Sequence, residues 1–505
     1  MEISPLTILL VLAFGGTALT FVAGRSARFV ALGTAIATLV VTLGLLAMFS
    51  LSELLSYQFL QVNTWFTFMG APGSPGLSID YAVGIDGISL PFLLLSAVIT
   101  VATVIYHWGE EKNPAGFFGL LLLTNAGLLG VFVSLDILLF FVFWEVVLIP
   151  MFFLIGHWGG PRRQYAALKF FVYTHVASVV MLVSLLAMVF LGHWPSFDFT
   201  DMTAVQGYNA SIPEVAQVFL FGGLLFGFGV KLPMVPFHTW LPDAHVEAPT
   251  GGSVFLAALL LKMGGYGLIR LAFPLLSLGR EALTPLVFFF AFLSIVWGAY
   301  LSLSQRDLKR LVAYSSINHM GVVLLAIGLW TQLGVMAAVL LMFAHGLVSG
   351  LLFMISGSVH HSFGTRDIPS VGGMTSRTPI LSTMLMVGSL ASLGLPALVS
   401  FPAEFSAFLA TWESLRYLVF LPLMALVVTA AFYIWMMQRL SFGPPHGIPA
   451  DAKDLPLPEM MGMVILVALI VLYGILPFLL VHIITVSPIF GACYPGGGGV
   501  CPGLP

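Results

Sequence analysis

Residues 231–250 read "KLPMVPFHTWLPDAHVEAPT" and follow the uncharged run "FLFGGLLFGFGV" at 219–230. An apolar run of this kind has the composition of a membrane-crossing helix. Here it ends in a lysine, two prolines stand close behind, and histidines and carboxylates follow. An ordinary spanning helix has no use for a buried ammonium, and a side chain of that kind inside a bilayer costs several kcal/mol. Proline removes an amide donor and clashes with the preceding turn, so Pro233 and Pro236 predict a broken helix. In lipid such a break survives only where protein or water covers the freed backbone groups. The stretch therefore predicts a buried ionisable site in a many-helix membrane protein.

The rest of the chain agrees. Of 505 residues, 59% are hydrophobic and only 8% charged, far below the quarter expected of a soluble domain. The net charge of -3 is small and says little about partners, and nothing in the sequence resembles a basic nucleic-acid surface. A crossing needs about 20 apolar residues. Spans are expected near 4–22, 29–54, 88–106, 115–132, 135–156, 168–190, 213–231, 251–273, 283–302, 310–330, 333–359, 380–399, 418–438 and 461–486. The first is read as a helix and not as a cleaved signal, because it lacks a basic leader. No run of alternating residues suits a barrel, so the fold class is all-α and polytopic, with about 14 spans. With both termini outside, most lysines and arginines, Lys309 among them, fall in inner loops; Arg270, Arg280 and Arg416 fall at outer ends. The longer outer segments 55–87 and 191–212 read as a layer capping the bundle.

Few charges remain inside the spans. Glu145 lies in "LLFFVFWEVVLIPMFFLIG" (138–156), Lys262 in "VFLAALLLKMGGYGLIR" (254–270) and Glu404 in "SLGLPALVSFPAEFSAFLA" (392–410), with Lys231 as the fourth. Glu145 and Lys231 are expected to pair, either to fix helix packing or to pass a proton, since a nearby carboxylate favours the charged lysine and the pair titrates as a unit. His345 in "VLLMFAHGLVSGLLFMISG" (339–357) and His319 in "YSSINHMGVVLLAIG" (314–328) also lie within spans. Imidazole can take a proton on one nitrogen and release one from the other, although a histidine satisfied by packing is the plainer reading. His238 and His245 could line a water path or sit at the interface. They are seven residues apart and match no standard zinc motif. Two cysteines, Cys493 and Cys501 in "GACYPGGGGVCPGLP" (491–505), are too few for a cysteine-ligated cluster and leave a disulfide open. No cofactor is expected in this chain.

A second pair of prolines, Pro396 and Pro402, flanks the approach to Glu404, so a second broken helix is expected there. The block 115–273 holds five spans and the block 283–438 five more, and the fourth of each leads into one of the two breaks. Five spans per block place successive copies in opposite senses, which implies two inverted five-helix repeats. Residues 1–114 would form the first three helices with an outer loop, 461–486 the last helix and 487–505 a glycine-rich tail.

The stretches "FWEVVLIPMFFLIGHWGG" (143–160), "KLPMVPFHTWLPDAHVEAPTGGSVFLAALLLKMGGYGLIR" (231–270) and "LSQRDLKRLVAYSSINHMG" (303–321) resemble the antiporter-like membrane subunits of respiratory complex I, closest to the NuoM or NdhD type. The resemblance covers nearly the whole chain and is strongest over 136–365. It implies proton translocation driven by quinone reduction elsewhere in a multisubunit NADH-quinone oxidoreductase, beside other antiporter-like subunits. It matches Glu145, Lys231, Lys262, His345 and Glu404 to the family's proton-transfer positions, and a glutamate at 404 suits the NuoM type. The alternatives are a subunit of a multisubunit sodium/proton antiporter of the Mrp type or of a membrane-bound hydrogenase. A scaffold whose ion pairs serve assembly is a reading of a different class. The expected place is a bacterial or organellar energy-transducing membrane, with both termini on the non-cytoplasmic side.

Overall fold

The computed structural model describes residues 3–53, 56–68, 76–449 and 452–492; Cys493, Cys501 and the rest of the tail lie outside them. Thirteen helical stretches among these are long and apolar enough to cross a membrane. Four of them, Ser89–Tyr106, Thr250–Leu275, Leu308–Leu329 and Gln332–Phe363, are almost wholly buried and form the middle of the bundle. The outer helices bury one face and leave Val172, Phe289, Val427 and similar side chains exposed on the other. That is the burial pattern of helices with lipid as their outer solvent, where apolar side chains cost nothing by facing out.

Two corrections to the expected spans share one cause. The stretch 380–399 stops early, as Pro379–Ser392, and 400–415, left between spans in the sequence reading, is helix Ser400–Leu415. Gly394 has a φ of +75° and Pro396 follows it, so the chain turns out of the helix and then resumes it. Taken as two halves of one interrupted crossing, with Phe420–Ser441 as the next, they bring the path to the expected fourteen. Likewise Glu214–Lys231 ends where Pro233 and Pro236 begin a gap, and helix restarts at Trp240–Glu247. Pro402 differs from the other three prolines. It sits in the first turn of its helix, where proline is tolerated, and does not break it. A third interruption was not foreseen. Ile137–Val146 and Leu148–Trp158 meet at Val147, next to Glu145, because Pro150 has no amide hydrogen for the Val146 carbonyl.

The expectation of helices alone also needs amending. Gln58–Phe68 (β1) and Leu77–Ile85 (β2) pair antiparallel, with Gln58 opposite Ile85 and Phe68 opposite Leu77. The two long outer segments do cap the bundle, and they do so through backbone hydrogen bonds. The Leu135 amide donates to Ala82, Phe197 to Ser78 and Phe199 to Leu135, all within 2.9–3.1 Å. Such pairing satisfies the peptide groups of a layer whose helix, Met202–Asn209, is short.

Asp136 fastens this layer to the bundle. It is buried, caps Ile137–Val146 through the Leu138 and Leu139 amides, and accepts the Asp80 amide. Burial pushes its carboxyl up to about 6, against the opposing pull of those three hydrogen bonds. A carboxyl raised on folding lends its stability below its unfolded value near 4 and loses it as pH climbs through about 6. Asparagine caps a helix equally well and carries no charge. Asp136→Asn is therefore expected to match the parent's thermal midpoint near pH 3 and exceed it by a few degrees at pH 8. Equal midpoints at both values would show that the carboxylate carries no burial penalty.

Candidate functional site

The buried ionisable groups come from helices that the core brings together. Lys262 is carried on Thr250–Leu275, which includes two wider, π-helical stretches, Leu256–Leu260 and Leu268–Ala272, on either side of it. Such stretches loosen the carbonyl ladder and are frequent at functional sites. The Lys262 Nζ uses this, donating to the carbonyl of Ala257, five residues back. Gly264 lets this helix press against the end of Glu214–Lys231: a Cβ there would lie 2.5 Å from the Phe228 carbonyl oxygen.

Lys262, buried, has its Nζ 2.7 Å from Nδ1 of His345, which is buried too. When Lys262 is an ammonium, Nδ1 accepts and Nε2 carries the imidazole proton. The His345 ring centroid is 5.5 Å from that of His319. The His319 Nδ1 stands 3.4 Å from a carboxylate oxygen of Glu404, and its Nε2 is 3.2 Å from the Ser392 hydroxyl. Ser392 ends Pro379–Ser392 and Glu404 lies in the first turns of Ser400–Leu415, so the interrupted crossing supplies both partners. At Gly394 the turn passes so close that a Cβ would collide with the Glu404 carboxylate. A cavity of about 10 Å³ is lined by His319, His345, Ser315, Ser392, Ser400 and Tyr433. That is on the order of the space one water needs, with polar groups to hold it. Lys262, His345, His319 and Glu404 thus form one row.

The other half of the expected set is arranged differently. Lys231 is buried, but among the described residues it makes no ion pair. Its Nζ lies 5.2 Å from the Trp144 ring centre and 5.9 Å from that of Phe170, a cation–π arrangement. The expected direct pair with Glu145 does not form. Successive helical residues point about 100° apart. Trp144 turns inward and covers Lys231, so Glu145, the next residue, is turned toward the outside of the bundle. Its side chain is 24% exposed and accepts from or pairs with His175 Nδ1 at 3.1 Å. Glu145 nevertheless remains the carboxylate close enough to act on Lys231 through space.

His245 is fully buried, stacks on Phe353 with centroids 4.4 Å apart, and leaves both ring nitrogens unpartnered. Lys262, Lys309 and His345 are all within its electrostatic reach. His238 is also buried, with its Nδ1 unpartnered, in the gap beside Lys231, but no contact ties it to the row.

Three residues were missed or misplaced in the sequence reading. His175 lies inside an expected span, and the rule that singled out His319 and His345 applies to it as well. Lys309 was counted as a loop charge, yet it is buried and donates to the Ala248 carbonyl. Arg270 was placed at an outer helix end, yet it is buried and paired with Asp86. A helix end gives no sequence signal of how deeply it is covered.

Comparison with known proteins gives a consistent result. The family described as NADH:quinone oxidoreductase/Mrp antiporter, TM matches residues 134–432. The F(420)H(2) dehydrogenase subunit M of Methanosarcina mazei is 39% identical over 433 residues, 84% of this chain and 85% of that protein. The NADH-quinone oxidoreductase subunit M of Rhodobacter capsulatus is 37% identical over 473 residues, 92% of this chain and 90% of that protein. A chain of respiratory complex I from Thermus thermophilus superposes with a TM-score of 0.83 at 28% identity, over 96% of this chain and 100% of that one.

Proposed function

This chain belongs to the NADH:quinone oxidoreductase/Mrp antiporter transmembrane family, and on that footing we propose that it moves protons across the membrane for a donor:quinone oxidoreductase. It is an antiporter-like subunit of a multisubunit complex, and quinone reduction takes place elsewhere in that complex. We assign no redox centre to it. The related subunits named above belong to complexes with different electron donors, NADH in one case and F(420)H(2) in another. A subunit whose work is proton transfer fits either donor.

The observation that carries the reading is the row Lys262–His345–His319–Glu404. Two unit charges 2.7 Å apart would repel by about 6 kcal/mol at an effective dielectric of 20. The Lys262–His345 pair therefore holds one proton and not two. A proton arriving on Lys262 can pass to His345 Nδ1, while the proton on Nε2 leaves toward His319, through one water in the small cavity that both rings line. His319 in turn faces Glu404, which is protonated last and releases the proton at the interrupted crossing. His245 extends the row toward Lys309, and His238, in the gap that follows Lys231, serves as a further auxiliary group. Glu145 sets the charge of Lys231 through space, and its half-open position with His175 suits coupling to a neighbouring subunit. The two breaks fall in the blocks 115–273 and 283–438, which we read as inverted repeats. Both termini are assigned to the non-cytoplasmic side, in a bacterial or organellar membrane.

Loss of pumping in Lys262→Met tests the row itself, and Lys231 is tested beside it. Lys231→Ala in the complete complex, in sealed vesicles, is expected to lower both donor:quinone turnover and proton translocation at least five-fold. Turnover and pumping equal to the parent's would remove Lys231 from the path.

A further inference from the structure

A second polar cluster lies at the hairpin end of the bundle and plays no part in the row. It begins on the helix that carries Lys262. Tyr266 and Arg270 follow Lys262 at intervals of four, so all three stand along one side of that helix. The Tyr266 hydroxyl donates to the Phe132 carbonyl at 3.0 Å and lies 3.1 Å from the Ser89 hydroxyl. The Ser89 Oγ in turn accepts from Arg270 Nη2 at 2.9 Å. Arg270 pairs with Asp86, and both are fully buried. Asp86 also accepts from the amides of Ile88 and Ser89, the Ser89 hydroxyl and the Ser487 hydroxyl. The guanidinium stands 5.6 Å from the Tyr57 ring centre and 5.3 Å from that of Tyr266, and its Nε and Nη1 have no partner. The turn at Gly87 is pressed against the Ile483 carbonyl, so residues 483–487 close the cluster from outside.

We propose that the Arg270–Asp86 pair is a proton plug, barring a route along which protons from Lys262 would otherwise pass by Tyr266 and Ser89 toward the hairpin end of the bundle. The proposal rests on Lys262 carrying protons. Tyrosine and serine hydroxyls can both accept and donate, so a chain of them relays protons readily. A guanidinium stays charged throughout the range of protein pH and cannot release a proton. Burial alone would raise the Asp86 carboxyl, but the Arg270 charge and the hydrogen bonds from Ser487 and Ser89 outweigh it and hold it below the usual carboxylate range. Asp86 therefore does not take up a proton. The route ends on two groups that neither give nor receive one, and the fixed positive charge repels a hydronium ion, as in channels that exclude protons. As a mere clamp the pair would be a poor choice, since well-packed apolar side chains of similar volume often hold such a place as well or better.

The test is passive proton leak. The complete complex is reconstituted in liposomes, a potassium diffusion potential is imposed without donor or quinone, and a trapped pH dye is followed. Arg270→His puts a titratable ring at the plug and is expected to raise the leak at least five-fold over the parent. The double variant R270M/D86L, dry and apolar, is expected to stay as tight as the parent. Adding K262M to R270H is expected to return the leak to the parental level. If R270H fails to assemble, R270K is read instead, since its ammonium can release a proton and its leak should grow as pH rises. An assembled R270H or R270K complex as tight as the parent overturns the plug. A leak that persists in R270H/K262M overturns its placement on a route from Lys262. Loss of pumping in K262M alone tests the reading of Lys262 separately.

Discussion

Lys262→Met is expected to stop proton translocation through this subunit and to lower coupled donor:quinone turnover at least ten-fold. The side chain is fully buried, touches His345 at 2.7 Å and hangs from the Ala257 carbonyl, so the replacement removes the first carrier of the row. Methionine fills much of the same volume with an unbranched, adaptable chain, which limits damage to packing. Lys262→Arg makes the stricter comparison. It keeps the positive charge but cannot release a proton, and its planar fork does not reproduce an ammonium's geometry. Both variants are measured in sealed vesicles, as protons taken up per quinone reduced and as turnover with and without an uncoupler. If Lys262→Arg pumped at the parental ratio, the ammonium would be serving as a fixed charge and not as a proton carrier. Gly264 and the paired π-helical stretches would then matter only for packing.

Glu145→Gln is expected to cause a several-fold loss of turnover in a complex that still assembles. The glutamine keeps the shape and can still hydrogen bond to His175, but the negative charge that acts on Lys231 is gone. At an effective dielectric of 20 a unit charge within electrostatic reach of a buried ammonium still acts on it with an energy on the order of 1 kcal/mol. His175→Gln removes the histidine and leaves the carboxylate, so it should cost less. An assembled Glu145→Gln complex with the parent's proton-to-electron ratio would exclude the assigned coupling role.

Much of this site could be read in the sequence because burying a charge in lipid is expensive. Glu145, Lys231, Lys262, His345 and Glu404 stand out against apolar runs, and Pro233, Pro236 and Pro396 mark where the helices give way. The same rule would have found His175. The rule fails at helix ends. Arg270 lies near the end of one helix and Lys309 at the start of another, and nothing local tells a snorkelling charge from a covered one. The hairpin was missed for a related reason: "QFLQVNTWFTF" (58–68) alternates as a strand does, but it lies between membrane spans, where loops are the default expectation.

The sequence by itself determined that this is a many-spanning helical membrane protein with interrupted helices and a small set of buried ionisable groups. Composition, periodicity and proline position are local properties, and the cost of solvating them in lipid can be judged residue by residue. Only the tertiary structure decided which groups meet. It put Lys262 on His345 and His319 beside Glu404, laid Lys231 over the Trp144 ring while Glu145 turned to His175, and buried Arg270 on Asp86. Those outcomes depend on the rotation of each helix about its axis and on close approaches such as that at Gly264. Both are fixed by packing among segments up to hundreds of residues apart, and no single segment contains that information.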